Sequence, residues 1–148
     1  MSYETYELEM TDSTMVFEFV SEGPKGLIRK RVYYQQMTQE DTFNLALGDV
    51  NSATNEVDYK VITDNKDTEK VLATVAKTVF MFINTFPEAR IYAKGGNTAR
   101  TRLYRMGISN NLEEISAKFD VYGLLEDIGW VLFEKNSDYS AFILKLKD

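Results

Sequence analysis

The sequence of 148 residues contains neither cysteine nor histidine. Without cysteine it has no disulfide, no thiolate nucleophile and no sulfur-ligated zinc site. Without histidine it lacks the commonest general base and metal ligand, and Ser–His and Cys–His catalytic pairs are excluded. Because no complete catalytic or cofactor motif is present either, we predict no metal and no cofactor. Whether the protein is an enzyme stays open, with a non-catalytic role favoured.

Long hydrophobic runs and basic charge are also scarce. No apolar run approaches the roughly 20 residues that a membrane-spanning helix needs, and the first ten residues, MSYETYELEM, are polar and acidic, unlike a signal peptide. We therefore expect a cytoplasmic protein without a membrane partner. The net charge of −6 argues against indiscriminate nucleic-acid binding but leaves room for a local basic site.

The chain has enough apolar material for one core, because 44% of its residues are hydrophobic and 13% are aromatic. No repeat or linker interrupts it, so we predict a single domain over residues 1–148. The pattern of the first half is typical of strands: Thr14–Val20 alternates, a turn at Glu22–Gly26 follows it, and Phe43–Val50 is a short apolar run. The predicted strands are Thr14–Val20, Leu27–Met37, Phe43–Val50 and a short one at Val57–Ile62.

The second half contains the clearest helix, predicted over Asp67–Phe86 with Asn65 or Asp67 as its cap. Its apolar stripe consists of Val71, Leu72, Val75, Val79, Phe82, Ile83 and Phe86. After it we predict a strand at Ala89–Gly95 and short helices at Thr98–Met106 and Asn111–Phe119. A hairpin of Gly129–Lys135 and Tyr139–Lys147 would follow, with Trp130 as a core anchor. This order predicts an α+β fold, a largely antiparallel sheet packed against one long helix and one or two short helices.

The stretch GGNTARTRLYRMG, residues 95–107, places three arginines at the start of a predicted helix. A helix start already has free N–H groups and a positive dipole end, and arginine binds phosphate or carboxylate bidentately. At 100° per residue Ala99, Leu103 and Met106 would pack on the sheet. We predict an anion-binding site formed by Asn97, Thr98, Arg100, Thr101, Arg102 and Arg105.

Charge is segregated along the chain, since residues 89–112 hold five cations and no acid while the remainder carries −11. The alternative to a ligand site is that the arginines pair within the fold, with Asp49 or Asp58 of the acidic stretch 49–69 as partners. A second basic run, Lys25–Arg31, is interpreted as a solvated strand or a charged sheet edge. It would form a nucleic-acid surface only if it lay near Arg102.

Two family resemblances bear on this stretch. Residues 65–82, 98–105 and 44–50 resemble a family of short uncharacterised proteins from Bacteroidota, a domain of unknown function. This resemblance covers nearly the whole chain, has TARTRLYR at Thr98–Arg105 as its most distinctive element, and implies a bacterial protein but no activity.

The same helix is also similar to a late helix of the GNAT acetyltransferases, N-x-x-A-x-x-L-Y followed by a glycine–aromatic pair. The corresponding residues are Asn97, Ala99, Leu103, Tyr104, Gly107 and Ile108, with a spacing that departs by one residue on each side and Ile108 in place of the aromatic. This resemblance implies Tyr104 as a general acid. The pyrophosphate signature of that family, Q/R-x-x-G-x-G/A, should open the preceding helix but is absent, because the chain reads DNKDTEKVL there.

Two hypotheses follow from the sequence. The first is a non-catalytic binding or accessory module that binds an anionic partner at the arginine helix: phosphate, nucleic acid or an acidic protein surface. The second is a degenerate GNAT-like acyltransferase that uses Tyr104. A binding module predicts a shallow basic patch, whereas an enzyme predicts a deep pocket beside Tyr104.

Overall fold

The computed structural model describes residues 3–60 and 63–148. Within them the chain order is β1 (Glu9–Met10), β2 (Val16–Gly23), β3 (Gly26–Gln36), β4 (Thr42–Val50), β5 (Val57–Asp58), α1 (Thr68–Thr85), β6 (Arg90–Ala93), α2 (Thr98–Asn110), α3 (Leu112–Lys118), β7 (Phe119–Leu125), β8 (Gly129–Leu132) and β9 (Phe142–Leu146). These elements confirm the predicted α+β class. No helix in this part of the chain is long and apolar enough to cross a bilayer.

The strands form one sheet in the order β1-β2-β3-β4-β6-β9-β7-β8, with β5 paired to the far end of β4. Neighbouring strands run antiparallel except β4 and β6, which are parallel over Thr42–Asn44 and Arg90–Tyr92. The prediction of a largely antiparallel sheet is therefore confirmed. The chain connects the two parallel strands through α1, as parallel neighbours require.

Helix α1 covers one face of the sheet through the predicted apolar stripe. Six of its seven residues are buried, and Phe86 is half-buried. The ring of Phe82 stacks on Tyr34 of β3 at 4.1 Å and meets Phe43 of β4 edge-on at 5.1 Å. The predicted packing of the sheet against one long helix is thus confirmed, with the apolar stripe as the contact surface.

The capping prediction for α1 was wrong in its chemistry. Asp67 occupies the N-cap position but makes no capping hydrogen bond. Its carboxylate instead accepts hydrogen bonds from the hydroxyl groups of Tyr6 and Ser21, both at 2.5 Å. The other candidate cap, Asn65, is buried and accepts from the backbone N–H of Lys25. Both side chains connect the start of α1 to the β2–β3 hairpin.

The interpretation of Lys25–Arg31 as a solvated strand or sheet edge was wrong for Lys30. Strand β3 lies inside the sheet, and alternation turns Lys30 toward the core, where it is 1% exposed. Its ammonium group pairs with Asp49, its register partner on β4, at 2.5 Å. Arg29 and Arg31 lie on the opposite, outer face of the sheet and both pair with Glu18.

The predicted C-terminal hairpin was also wrong, because β8 and β9 do not pair with each other. Strand β7 lies between them and pairs with both. The prediction missed β7, although Phe119–Leu125 alternates buried and half-buried positions. Trp130 is not a core anchor: it lies on the outer face of β8 and is 42% exposed.

The remaining predicted elements differ from the structure mainly in length. The strand predicted at Val57–Ile62 is described only as the two-residue β5, and Val61 and Ile62 lie outside the described residues. Helix α2 begins at Thr98 as predicted but continues to Asn110.

The buried hydroxyl of Tyr34 should make the fold less stable at high pH. Thr78 donates to the carbonyl of Val75, so Tyr34 donates to Thr78, at 2.7 Å. Burial raises the pKa of Tyr34 far above its ordinary value of 10.0. Its folded state therefore stays protonated while the unfolded chain ionises, and its contribution, fully present below about pH 10, is lost as the pH rises further.

We expect Tyr34→Phe to cost about 1 kcal/mol at neutral pH, from the lost hydrogen bond. Between about pH 10 and 11.5 the wild type should lose stability more steeply than the variant, because only the wild type has this tyrosine to ionise on unfolding. Urea unfolding across this pH range measures the difference. A stability difference that does not change with pH would contradict the assignment.

Candidate functional site

The position of α2 follows from a gap beside β4. The parallel pairing of β4 with β6 ends at Asn44, and β5 joins β4 only at Asp49. Between these two points the backbone of Leu47 bonds to side chains of α2. The guanidinium group of Arg100 donates to the carbonyl oxygen of Leu47, and the Leu47 N–H donates to the hydroxyl of Tyr104 at 3.3 Å. Two side chains thus take the place of a missing strand.

These contacts decide which face of α2 is buried. The buried residues are Arg100, Tyr104 and Ile108, spaced by one helical turn. The predicted packing face was wrong: Ala99 and Met106 are exposed, and only Leu103 is half-buried. Apolar spacing missed this face because hydrogen bonding to Leu47, rather than side-chain hydrophobicity, draws Arg100 inside.

The predicted start of α2 is confirmed. The side chain of Asn97 accepts a hydrogen bond from the backbone N–H of Arg100 at 2.9 Å and caps the helix. Thr101 donates to the Asn97 carbonyl at 3.1 Å and accepts from the N–H of Gly95 at 3.2 Å. A side chain at Gly95 would place its Cβ 2.5 Å from the Cβ of Arg100, so the close approach of turn and helix requires glycine.

A cleft of about 670 Å³ opens between the start of α2 and the turn that joins β7 to β8. Five of the six residues predicted for the anion site line it: Asn97, Thr98, Thr101, Arg102 and Arg105. Arg100 does not, because its side chain is buried under the helix, 3% exposed, and holds Leu47. The structure therefore brings the predicted site together without its first arginine.

The two walls of the cleft carry opposite charge. Lys94, Arg102 and Arg105 stand on the α2 side, while carboxylates stand on the other, at Glu126, Asp127 and Asp138. Arg105 pairs with Asp138 at 2.5 Å and donates to the carbonyl of Ser137 at 3.1 Å. The exposed guanidinium of Arg102 forms no ion pair or hydrogen bond with any residue that the structure describes.

Arg105 is thus paired within the fold, but the predicted partner in the acidic stretch 49–69 was wrong. Asp49 faces the core and binds Lys30, whereas Arg105 extends toward the loop before β9, where Asp138 lies. None of these three carboxylates was predicted as part of the site, because they lie in two segments far from α2 in sequence and no local pattern connects them with it.

Tyr104, the catalytic candidate implied by the acetyltransferase resemblance, does not line the cleft. Its ring is buried, and its hydroxyl accepts from the backbone of Leu47. Among the residues that the structure describes, no group of three or more Asp or Glu side chains is placed to hold a metal ion.

Comparison with known families gives one match. A model described as "Family of unknown function (DUF6934)" matches residues 2–147. The chain belongs to this family. The prediction that the chain belongs to a family of uncharacterised domains is thus confirmed. Neither a curated protein nor a solved structure matches the chain.

For this DUF6934 chain the two arginines nearest the start of α2 should behave differently. Arg100→Ala should destabilise the fold by about 2–3 kcal/mol, because the carbonyl of Leu47 loses a buried hydrogen bond to a charged donor. Arg102→Ala removes the same charge from the same helix, but the Arg102 side chain makes no hydrogen bond or ion pair with a described residue, so the change in stability should be less than about 0.5 kcal/mol. Urea unfolding of both variants measures this, and equal losses would refute the assigned roles.

Proposed function

We propose that the protein is a non-catalytic binding module whose cleft takes a ligand with a phosphate or carboxylate group at Arg102. The observation that carries the proposal is the free guanidinium of Arg102 at the edge of the cleft. Thr98 lines the cleft beside it, whereas the hydroxyl of Thr101 is already bonded to Asn97 and Gly95. The backbone N–H groups of Thr98 and Ala99 have no acceptor within the helix and strengthen the attraction for an anion, while that of Arg100 is taken by the Asn97 cap.

The opposite wall limits the kind of ligand. A polyanion such as nucleic acid would bring phosphates close to Glu126 and Asp127, which repel them. The second basic run does not help, because Arg29 and Arg31 are paired with Glu18 on the outer face of the sheet. The cleft better suits a small molecule with an anionic group at one end and a cationic or hydrogen-bond-donating group at the other.

A non-catalytic role is supported by the placement of the one residue that the alternative needs. A degenerate GNAT-like acyltransferase would use Tyr104 as a general acid, but its hydroxyl is buried against the backbone of Leu47. No contact in the cleft favours that alternative. The bacterial origin and the cytoplasmic location expected from the sequence stay predictions.

The test is binding of inorganic phosphate, phosphoethanolamine, a free amino acid and a mononucleotide, each measured by calorimetry and by the shift in melting temperature. We expect at least one of these ligands to stabilise the wild type. Arg102→Ala should weaken its binding by about tenfold or more, because a charge-assisted contact is worth about 1.4 kcal/mol or more.

Arg90→Ala is the matched control, since Arg90 is exposed, lies outside the cleft and carries the same charge. It should leave binding unchanged. If no probe binds, or if both variants weaken binding equally, the proposed site is wrong. If single-stranded oligonucleotides bind better than every small probe, the choice of a small ligand is wrong.

A further inference from the structure

Strand β8 ends the sheet on one side, and no strand pairs with its outer edge among residues 3–60 and 63–148. Three large apolar side chains on it and beside it are exposed: Ile128 at 73%, Trp130 at 42% and Leu132 at 65%. Trp130 and Leu132 alternate with Val131 and Phe133, which pack against the core, so these two share the outer face, while Ile128 lies in the turn before β8. The edge strand therefore offers both open backbone and apolar surface.

The hydrogen bonds between β7 and β8 fix which backbone groups point outward. The N–H of Phe133 donates to the carbonyl of Val121 at 2.9 Å. Residues two and four positions earlier, Val131 and Gly129, then also direct their polar groups toward β7, as alternation in an antiparallel ladder requires. The residues between them, Trp130 and Leu132, direct theirs toward the open edge.

Beyond these two residues the outer edge offers fewer donors. The N–H of Ile128 donates to the carbonyl of Leu125 at 3.2 Å, and the N–H of Glu134 donates to the hydroxyl of Tyr139 at 2.9 Å. A strand added at this edge can therefore exchange complete pairs of hydrogen bonds only with Trp130 and Leu132.

The edge also lacks the usual protection against pairing. Exposed edge strands commonly carry lysine, proline or a bulge that prevents association. The run GWVLF at 129–133 contains neither charge nor proline. At the other end of the sheet, by contrast, the edge strand β1 is only two residues long.

We propose that β8 pairs antiparallel with β8 of a second copy of the chain, about a two-fold axis at Val131. In this register Trp130 of each copy lies opposite Leu132 of the other, and these residues exchange both backbone hydrogen bonds. Their side chains meet on the outer face as an aromatic–aliphatic cross-strand pair. The two sheets become one, and the contact is self-complementary, as a two-fold interface must be.

Charges beside β8 fit this register. It places Asp127 of one copy opposite Lys135 of the other, at both ends of the contact. Both side chains lie in turns at the ends of β8, and opposite charges in facing positions stabilise strand pairs. Lys135 of each copy would thus neutralise the acidic turn at Asp127 of the other copy.

The other symmetric registers bring like charges together. A two-fold axis at Trp130 would place Glu126 opposite Glu134 of the second copy. An axis at Leu132 would place Glu126 opposite Asp138. Facing like charges destabilise strand pairs, so hydrogen bonding and charge both select the axis at Val131.

The first test is the oligomeric state, measured by sedimentation velocity over a range of protein concentrations. The wild type should dimerise. Leu132→Glu should raise the dimer dissociation constant by about tenfold or more, because the two-fold axis places the substituted residue in the contact twice. Leu27→Glu is the matched control: Leu27 is 74% exposed at the start of β3, far along the sheet from β8. It should leave the dissociation constant within about twofold of the wild type.

The second test determines the register. The chain has no cysteine, so Val131→Cys introduces a single thiol that faces its own copy across the axis. Directly opposite residues have Cβ atoms about 4.5–5.5 Å apart, close enough for a disulfide after small adjustments. Under the same mild oxidant Val131→Cys should form a covalent dimer at least about tenfold faster than Leu27→Cys.

Three results would overturn the proposal. One is a wild type that stays monomeric up to about 1 mM protein, in which case β8 has another occupant or none. Another is equal weakening by both glutamate variants. The third is a dimer that Leu132→Glu dissociates but that does not cross-link at position 131, which would indicate packing of outer faces instead of strand pairing. Circular dichroism of each variant confirms that it is folded.

Discussion

The backbone of Leu47 lies in the part of β4 between its pairing with β6, which ends at Asn44, and its pairing with β5, which begins at Asp49. A peptide group in this position must find partners, because an unsatisfied buried N–H or carbonyl costs about 1–3 kcal/mol. Arg100 and Tyr104 supply them from one face of α2. That choice fixes the rotation of the helix and leaves Arg102 outside. Arg102 is thus exposed at the cleft because Arg100 and Tyr104, on the other face of α2, bind the backbone of Leu47.

Sequence patterns predicted the elements whose burial is apolar and periodic. The stripe of α1, the alternation of β2 and the short apolar run of β4 were each found from the sequence, since the same residues that carry the pattern fill the core. The pattern failed where polar groups are buried for hydrogen bonding or ion pairing. Arg100 and Lys30 carry charges that suggest solvent, yet both lie inside against specific partners. Nothing in their local sequence distinguishes them from exposed neighbours such as Arg102.

The cleft was predictable only on the side that is continuous in sequence. Gly95, the Asn97 cap and the outward residues of α2 form one local unit whose capping chemistry is visible in the residues themselves. The acidic wall comes from two turns elsewhere in the chain, and only the arrangement of β7, β8 and β9 brings it near. That arrangement depends on β7, whose seven residues are interrupted by Gly123. There the ring of Tyr139 fills the place of a side chain, so the apolar signal of the strand lies partly in another segment.

Strand β9 has a special position in the sheet. Leu144 faces Ile91 of β6 on one side and Val121 of β7 on the other, and both partners come much earlier in the chain. The sheet is therefore closed by inserting a strand between two existing edges rather than by adding one at the rim. Without β9 the sheet order would be cut between β6 and β7, which would leave two sheets, each with an unpaired edge open to the wrong strand. The continuity of the whole sheet thus rests on five residues, Phe142–Leu146.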